Sequence, residues 1–328
     1  MIMVWVKFIL SAVLIVIAAN YLAKYGDVIA VRTRLGGMFI GILLLAGATS
    51  LPELLTSIIS VSQNSPNLAA GNLFGSNAFN MLMLAVLAMI NRSERILRKA
   101  ARRHALTGSL AALMIGLVLF FLAADIHMKI GWVGLDSLII LAAYIVSVRL
   151  IASDAKPGST VEMEIPAGIP RLWVGVAGFL AAAGALFVVT PIMVSSSAEI
   201  AEITGLGTTF VGTTLVAMVT SLPEIVTTIA AVRIGASDMA IGNLFGSNMF
   251  NMFAVGFTDL FYTGGRFLSI IDPSFMLVGL FGLLMTMIGL VGNLAKLERR
   301  VFNIEFDALI LFILYLWGMF LLYQRGIG

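Results

Sequence analysis

A chain of 328 residues that is 60% hydrophobic and 11% charged lies far from an ordinary water-soluble domain, in which about a quarter of the residues are charged. With no cysteine, it has no disulfide framework, thiolate metal site or cysteine nucleophile. The net charge of +3 excludes little, because orientation in a membrane depends on where Lys and Arg sit.

About 20 apolar residues carry a helix across the roughly 30 Å hydrocarbon core. On that measure the sequence predicts helices over 2–22, 35–62, 67–90, 105–124, 130–151, 169–190, 205–232, 238–260, 274–293 and 304–323. The first, from Ile2 to Ala19, lacks a basic leader region and a small-residue cleavage site before Asn20-Tyr21, so it reads as a retained helix. The second and seventh carry Thr49-Ser-Leu-Pro-Glu53 and Thr220-Ser-Leu-Pro-Glu224 near their middles. The third and eighth carry Gly71-Asn-Leu-Phe-Gly-Ser-Asn-Ala-Phe-Asn-Met81 and Gly242-Asn-Leu-Phe-Gly-Ser-Asn-Met-Phe-Asn-Met252. His104 and His127 fall at helix ends and read as exposed interfacial residues. Asp125, Glu199, Glu202, Asp259 and Asp272 read as solvated loop ends on one face. The expected fold is an all-α integral membrane protein with ten transmembrane helices and no soluble domain.

Of the 20 Lys and Arg residues, all but four fall after odd-numbered helices, the run from Arg92 to Arg103 being the densest. The opposite side holds Lys7, Lys129, Arg266 and Arg325. The positive-inside rule then places both termini outside an inner or plasma membrane and the basic loops in the cytoplasm. On so short a membrane loop the basic run is a topological anchor, and no nucleic-acid partner is expected.

Sliding the chain on itself by 171 residues, the distance from Thr49 to Thr220 and from Gly71 to Gly242, superimposes both motifs, with ten identities across the eleven positions of the longer one. The same shift brings Gly36 onto Gly207 and Gly41 onto Gly212, which indicates duplication of one unit. The polar, proline-containing stretch over 153–168 reads as a cytoplasmic linker between a repeat at 1–152 and a repeat at 169–328. Five helices per repeat is an odd number, so the second repeat enters from the opposite side and the two five-helix repeats are inverted. That plan recurs in secondary transporters with a site at the midplane.

Glu53 and Glu224 sit at a depth where an ionisable residue is costly without a partner, an ion or a wet cavity. Equivalent positions in two inverted repeats should face each other, and two facing carboxylates require a cation. Pro52 and Pro223 lack an amide hydrogen and should break each helix, leaving carbonyls, with Ala46 and Ala217 as candidates, available to an ion. Hydroxyls of Thr49, Ser50, Thr220 and Ser221 lie within a turn of the glutamates. Ser76 with Asn80, and Ser247 with Asn251, are spaced four apart and share a helical face. An all-oxygen set suits hard cations such as Ca²⁺ and Na⁺. Asn72, Asn77, Asn243 and Asn248 read as helix–helix hydrogen-bonding residues, and the neighbouring glycines as close-packing positions. Ser50-Leu-Pro-Glu53 and Ser221-Leu-Pro-Glu224 also match the box in which a serine caps its own helix, but capping alone does not account for two equivalent starts at membrane depth.

Gly47-Ala-Thr-Ser-Leu-Pro-Glu53, Thr220-Ser-Leu-Pro-Glu224 and the two Gly-Asn-x-x-Gly-Ser-Asn stretches resemble the α-repeats of the sodium/calcium exchanger family, most closely its short prokaryotic members. The resemblance implies that Glu53, Asn80, Glu224 and Asn251 hold the ions, with hydroxyls of Thr49, Ser50, Ser76, Thr220, Ser221 and Ser247 around them. It implies a secondary antiporter, not an enzyme, that exchanges Ca²⁺ for Na⁺ by alternating access, the alternative being Ca²⁺/H⁺ or another cation/proton exchange. Its partners would be inorganic cations and the lipid bilayer, it would need no cofactor, and a monomer would suffice because both half-sites lie in one chain. Some family members carry Asp at the place of Asn251. With two formal negative charges instead of three, the site here balances one Ca²⁺ and is expected to hold fewer than three Na⁺, or to use a proton.

Overall fold

The computed structural model describes residues 2–33, 46–90, 96–154, 168–233, 237–295, 300–301 and 304–324. The chain is a bundle of helices, as lipid requires of a spanning segment whose backbone must be satisfied internally. In order these are α1 (Ile2–Thr33), a turn α2 over 46–49, α3 (Leu51–Ser62), α4 (Pro66–Ile90), α5 (Ile96–Ala124) and α6 (Leu135–Asp154). Then follow α7 (Leu172–Thr204), α8 (Gly207–Val211), a π-helical turn (Gly212–Val216), α9 (Ala217–Thr220), α10 (Leu222–Arg233), α11 (Ser237–Asp259), α12 (Phe267–Ile270), α13 (Phe275–Ala295) and α14 (Phe306–Gln324). Among the described residues six helices are long and apolar enough to cross a membrane. The pair Gly207–Thr220 and Leu222–Arg233, bent by 42° at its break, is long and apolar enough together for a broken span or a re-entrant loop, and Leu51–Ser62 and Phe275–Val291 are shorter apolar helices. This is a multi-pass, all-α membrane protein.

Two helices outrun their expected ends. α1 continues past Asn20-Tyr21 to Thr33 because it packs along α7: Tyr25 lies over Gly178, Val28 over Gly175, and Arg32 donates to the carbonyls of Ile169 and Pro170. α7 likewise runs through Pro191 to Thr204 and stops at Gly205, whose φ of 68° is the left-handed conformation that ends helices. Lys24 and Arg32, counted above as loop charges, therefore ride on a helix, as do Arg98, Lys99, Arg102 and Arg103 on the first turns of α5 and Arg149 on α6. α1 also carries Asp27, a carboxylate the apolar pattern had not placed in a helix. The expected alignment at Gly36 and Gly41, the loop residues Arg34, Arg92, Arg95, Lys156, Lys296, Arg299 and Arg325, and positions 155–167 of the linker lie outside the described residues.

α4 and α11 form the centre. Residues 68–81 and 240–249 are buried on every face, the pattern of a helix surrounded by other helices. Close approach is set by glycine. A Cβ on Gly71 would stand 2.7 Å from the amide nitrogen of Thr213, and one on Gly75 2.9 Å from the Cβ of Ala217. In the other half a Cβ on Gly246 would stand 2.9 Å from that of Ala46, so the second motif of each half presses against the broken helix of the other.

Two short hairpins recur at the same 171-residue offset: Lys129–Ile130 with Val133–Gly134, and Arg300–Val301 with Ile304–Glu305, each leading directly into a helix. Beside the first hairpin lies an unforeseen polar clamp. Asp259, expected to be solvated, is fully buried and accepts the amides of Gly134 at 2.7 Å and Phe267 at 2.5 Å. Arg266, itself buried, donates to Asp125 at 2.7 Å and lies 3.8 Å from buried Asp136. His127 is exposed as expected, but His104 is buried, because α5 starts earlier than its apolar stretch and carries that residue into the bundle.

Candidate ion site

The site begins with two prolines. Pro52 and Pro223 cannot donate to the carbonyls of Ala48 and Val219, and the backbone departs from the helix one position earlier than the Leu-Pro-Glu run. Ser50 has φ −89° and ψ 7°, and Ser221 φ −84° and ψ 4°. New helices start at Leu51 and Leu222, so Glu53 and Glu224 stand in the first turn of a half-helix, where a negative charge is favoured by the helix dipole. The carbonyls of Ala46 and Ala217 are not freed. They accept the amides of Ser50 at 2.9 Å and Ser221 at 3.1 Å, because their helical partners precede the prolines, and each also accepts a threonine hydroxyl, Thr49 at 3.2 Å and Thr220 at 3.3 Å.

The serine hydroxyls reach across the molecule. Ser50 makes no side-chain cap bond and instead donates across the molecule to Glu224 Oε1 at 2.9 Å; Ser221 donates to Glu53 Oε1 at 3.0 Å. These are one contact and its counterpart at the 171-residue offset. Ser221 also lies 3.0 Å from Ser76 Oγ, which brings the second motif of the first half to the break of the second. Thr220 donates to Asn72 Oδ1 at 2.8 Å, while Thr49 donates to the Ala46 carbonyl at 3.2 Å.

The asparagines form a second crossed pair. Asn80 Nδ2 donates to Asn248 Oδ1 at 3.0 Å, and Asn251 Nδ2 donates to Asn77 Oδ1 at 3.1 Å. Asn248 is fixed in turn by donating to the Asn77 carbonyl and to Thr286. Each amide donates across this pair, and the carbonyl oxygens Asn80 Oδ1 and Asn251 Oδ1 are left without a hydrogen-bond donor. Asn72 and Asn243 tie the half-helices down, Asn72 to the Glu53 carbonyl and Ser57, Asn243 to Thr227 and Thr228. The helix-bonding role expected for Asn72, Asn77, Asn243 and Asn248 is thus what their contacts describe. Ser57 and Thr228 were missed, although each follows its glutamate by four residues and so shares its face, and the 171-residue shift pairs them.

The remaining unpaired atoms define the chemistry. Glu53 Oε2, Glu224 Oε2, Asn80 Oδ1 and Asn251 Oδ1 are buried acceptors without a hydrogen-bond donor, and Ser247 Oγ is buried and unpartnered beside them in sequence. Among the described residues no Lys, Arg or His forms an ion pair with either glutamate. An uncompensated buried carboxylate costs several kcal/mol, and here two are fully buried. Four acceptor oxygens from four helices and two carboxylates with no cationic side chain paired to them form an environment for a hard cation.

The family model for the sodium/calcium exchanger protein matches residues 3–152 and 174–324. The inner membrane protein YrbG of Escherichia coli (strain K12) is 28% identical over 275 residues, covering 81% of this chain and 80% of that protein. The sodium/calcium exchanger MaX1 of Methanosarcina acetivorans is 27% identical over 292 residues, covering 77% and 82%. A solved structure of the sodium-calcium exchanger NCX_Mj soaked with Na⁺ and Sr²⁺ superposes with a TM-score of 0.59 at 21% identity, covering 97% of this chain and 98% of that one, and shares its fold.

Proposed function

The chain belongs to the sodium/calcium exchanger family, and from that premise we propose that it exchanges Ca²⁺ for Na⁺ at one site formed by Glu53, Glu224, Asn80 and Asn251. The family makes it a cation/Ca²⁺ antiporter and a transporter rather than an enzyme. The observation that carries the finer reading is the set of four buried, donor-less oxygens, one from each of those residues. Ca²⁺ takes six to eight oxygens, and the hydroxyls of Ser50, Ser76, Thr49, Thr220, Ser221 and Ser247 are the candidates to complete the set, whereas the Ala46 and Ala217 carbonyls already accept an amide and a hydroxyl each.

The two halves, 1–152 and 169–328, are read as inverted repeats of five helices each, joined by a linker over 153–168, with both termini outside. The crossed Ser50–Glu224 and Ser221–Glu53 bonds support that reading, since an exchange of partners at a constant offset is what a pseudo-two-fold axis through the site produces. Rocking of the halves about that axis would open the site to either side in turn. Ca²⁺ and Na⁺ compete for the same oxygens, and this competition couples their fluxes. One chain carries both half-sites, so a monomer suffices.

The test is ⁴⁵Ca²⁺ uptake into Na⁺-loaded proteoliposomes. An outward Na⁺ gradient is expected to drive uptake, and uptake that ignores Na⁺ altogether would contradict Na⁺ exchange. Asn251 favours a second reading. With only two carboxylates the site is neutralised by one Ca²⁺, so a proton on a glutamate is a fitting counter-ion; uptake driven by a pH gradient alone would establish Ca²⁺/H⁺ exchange.

A further inference from the structure

Several buried hydroxyls outside the ion site have no hydrogen-bond partner, among them Thr56, Ser60 and Thr190, all fully buried. Leaving such a buried group unpaired is costly, so each calls for a reason. Thr56 and Ser60 follow Glu53 at the three- and four-residue steps that keep side chains on one helical face. They lead from the carboxylate toward exposed Gln63, about 15 Å along α3 at 1.5 Å per residue. Gln63 Nε2 reaches the carbonyl of Pro191 at 3.4 Å, which places the neighbouring Thr190 on α7 at the same level as the end of that stripe.

The other half lacks this feature. At the 171-residue offset Ser60 corresponds to Ala231 and Thr190 to Ala19, both buried. Thr56 corresponds to Thr227, whose hydroxyl is used up: it donates to the carbonyls of Pro223 and Glu224 and accepts from Asn243. The stripe is polar and unsatisfied on one side of the site, and alanine or internally satisfied on the other.

Resting on the exchanger reading above, we propose that Thr56, Ser60 and Thr190 line the route by which cations and their water pass between Glu53 and the membrane face at the end of α3, the outer face in the proposed orientation. In the closed arrangement these hydroxyls have no partner. In the open one they hydrogen-bond the water shell of a passing cation. The opposite route, past Ala231 and Ala19, has no such lining, so the two access routes differ in polarity.

Because the chain has no cysteine, single cysteines report access directly. Ser60→Cys, Thr190→Cys, Ala231→Cys and Ala19→Cys are each exposed to a membrane-impermeant methanethiosulfonate from either side, in proteoliposomes with Na⁺ or Ca²⁺. Ser60→Cys and Thr190→Cys are expected to react from the α3-end face at least tenfold faster than Ala231→Cys and Ala19→Cys react from the other. Separately, Ser60→Ala should slow exchange several-fold while equilibrium ⁴⁵Ca²⁺ binding stays unchanged, a split that a merely structural role would not produce. No labelling of Ser60→Cys or Thr190→Cys under any ion condition, or equal labelling of all four, would overturn the proposal. Loss of ⁴⁵Ca²⁺ binding in Glu53→Gln tests the exchanger reading itself and is unaffected by either labelling result.

Discussion

At the scale of single residues the site is a set of crossed bonds whose removal has a definite sign. Ser50→Ala deletes the donor to Glu224 Oε1. A hydrogen bond to a charged group contributes about 1.5–3 kcal/mol, so Ca²⁺ affinity should fall roughly tenfold or more, read by equilibrium binding. Ser221→Ala should match it through Glu53, and an unchanged affinity in both would remove the serines from the site. Asn77→Ala should weaken binding without touching a proposed ligand, because Asn77 Oδ1 holds the amino group of Asn251 away from the ion. The glutamates, the asparagines proposed as ligands and most of the hydroxyls near them stand out in the sequence, because polar groups are costly at membrane depth and these recur at one offset. Asp259, Arg266 and His104 were not. Their partners or packing surfaces lie far along the chain, as with Gly134 and Asp259, and a buried carboxylate near a helix end looks locally like a solvated one. The capping-box pattern misled in the other direction, since the serine hydroxyl it assigns to its own helix points across to the other half.

At the scale of helices, glycine contacts set how closely the halves approach. Gly71→Ala would put a Cβ 2.7–2.8 Å from the backbone of Thr213 and Gly212, and overpacking of this kind costs about 1–3 kcal/mol. A lowered thermal midpoint in detergent is expected. Gly116→Ala, on α5 with open space around it, should be neutral or stabilise by up to about 1 kcal/mol, and equal effects at the two positions would contradict the packing described. Helix existence followed from apolar runs, whereas helix ends did not. α1 and α7 extend because they support each other over their full length, a tertiary effect that the fading hydropathy after Ala19 and the proline at 191 conceal. The π-helical turn at Gly212–Val216, packed against Gly71, has no counterpart in the periodicity of the sequence.

For the molecule as a whole, the 171-residue offset organises contacts that the primary motifs never touch, the paired hairpins at Lys129–Gly134 and Arg300–Glu305 among them. The proposed inversion predicts sidedness. In this cysteine-free chain, exposed Met128 and Ile90 changed to cysteine should be labelled from opposite faces, Met128→Cys from outside and Ile90→Cys from inside; labelling from one face would contradict the topology. The central claim is that the unpaired oxygens of Glu53, Glu224, Asn80 and Asn251 form one cation site shared by the two halves. Equilibrium ⁴⁵Ca²⁺ binding to the purified protein, beside Glu53→Gln and Glu224→Gln, tests it most directly. The account predicts that either single change, one from each half, abolishes measurable binding to the folded protein, whereas a variant that keeps its Ca²⁺ binding with either glutamate neutralised would contradict it.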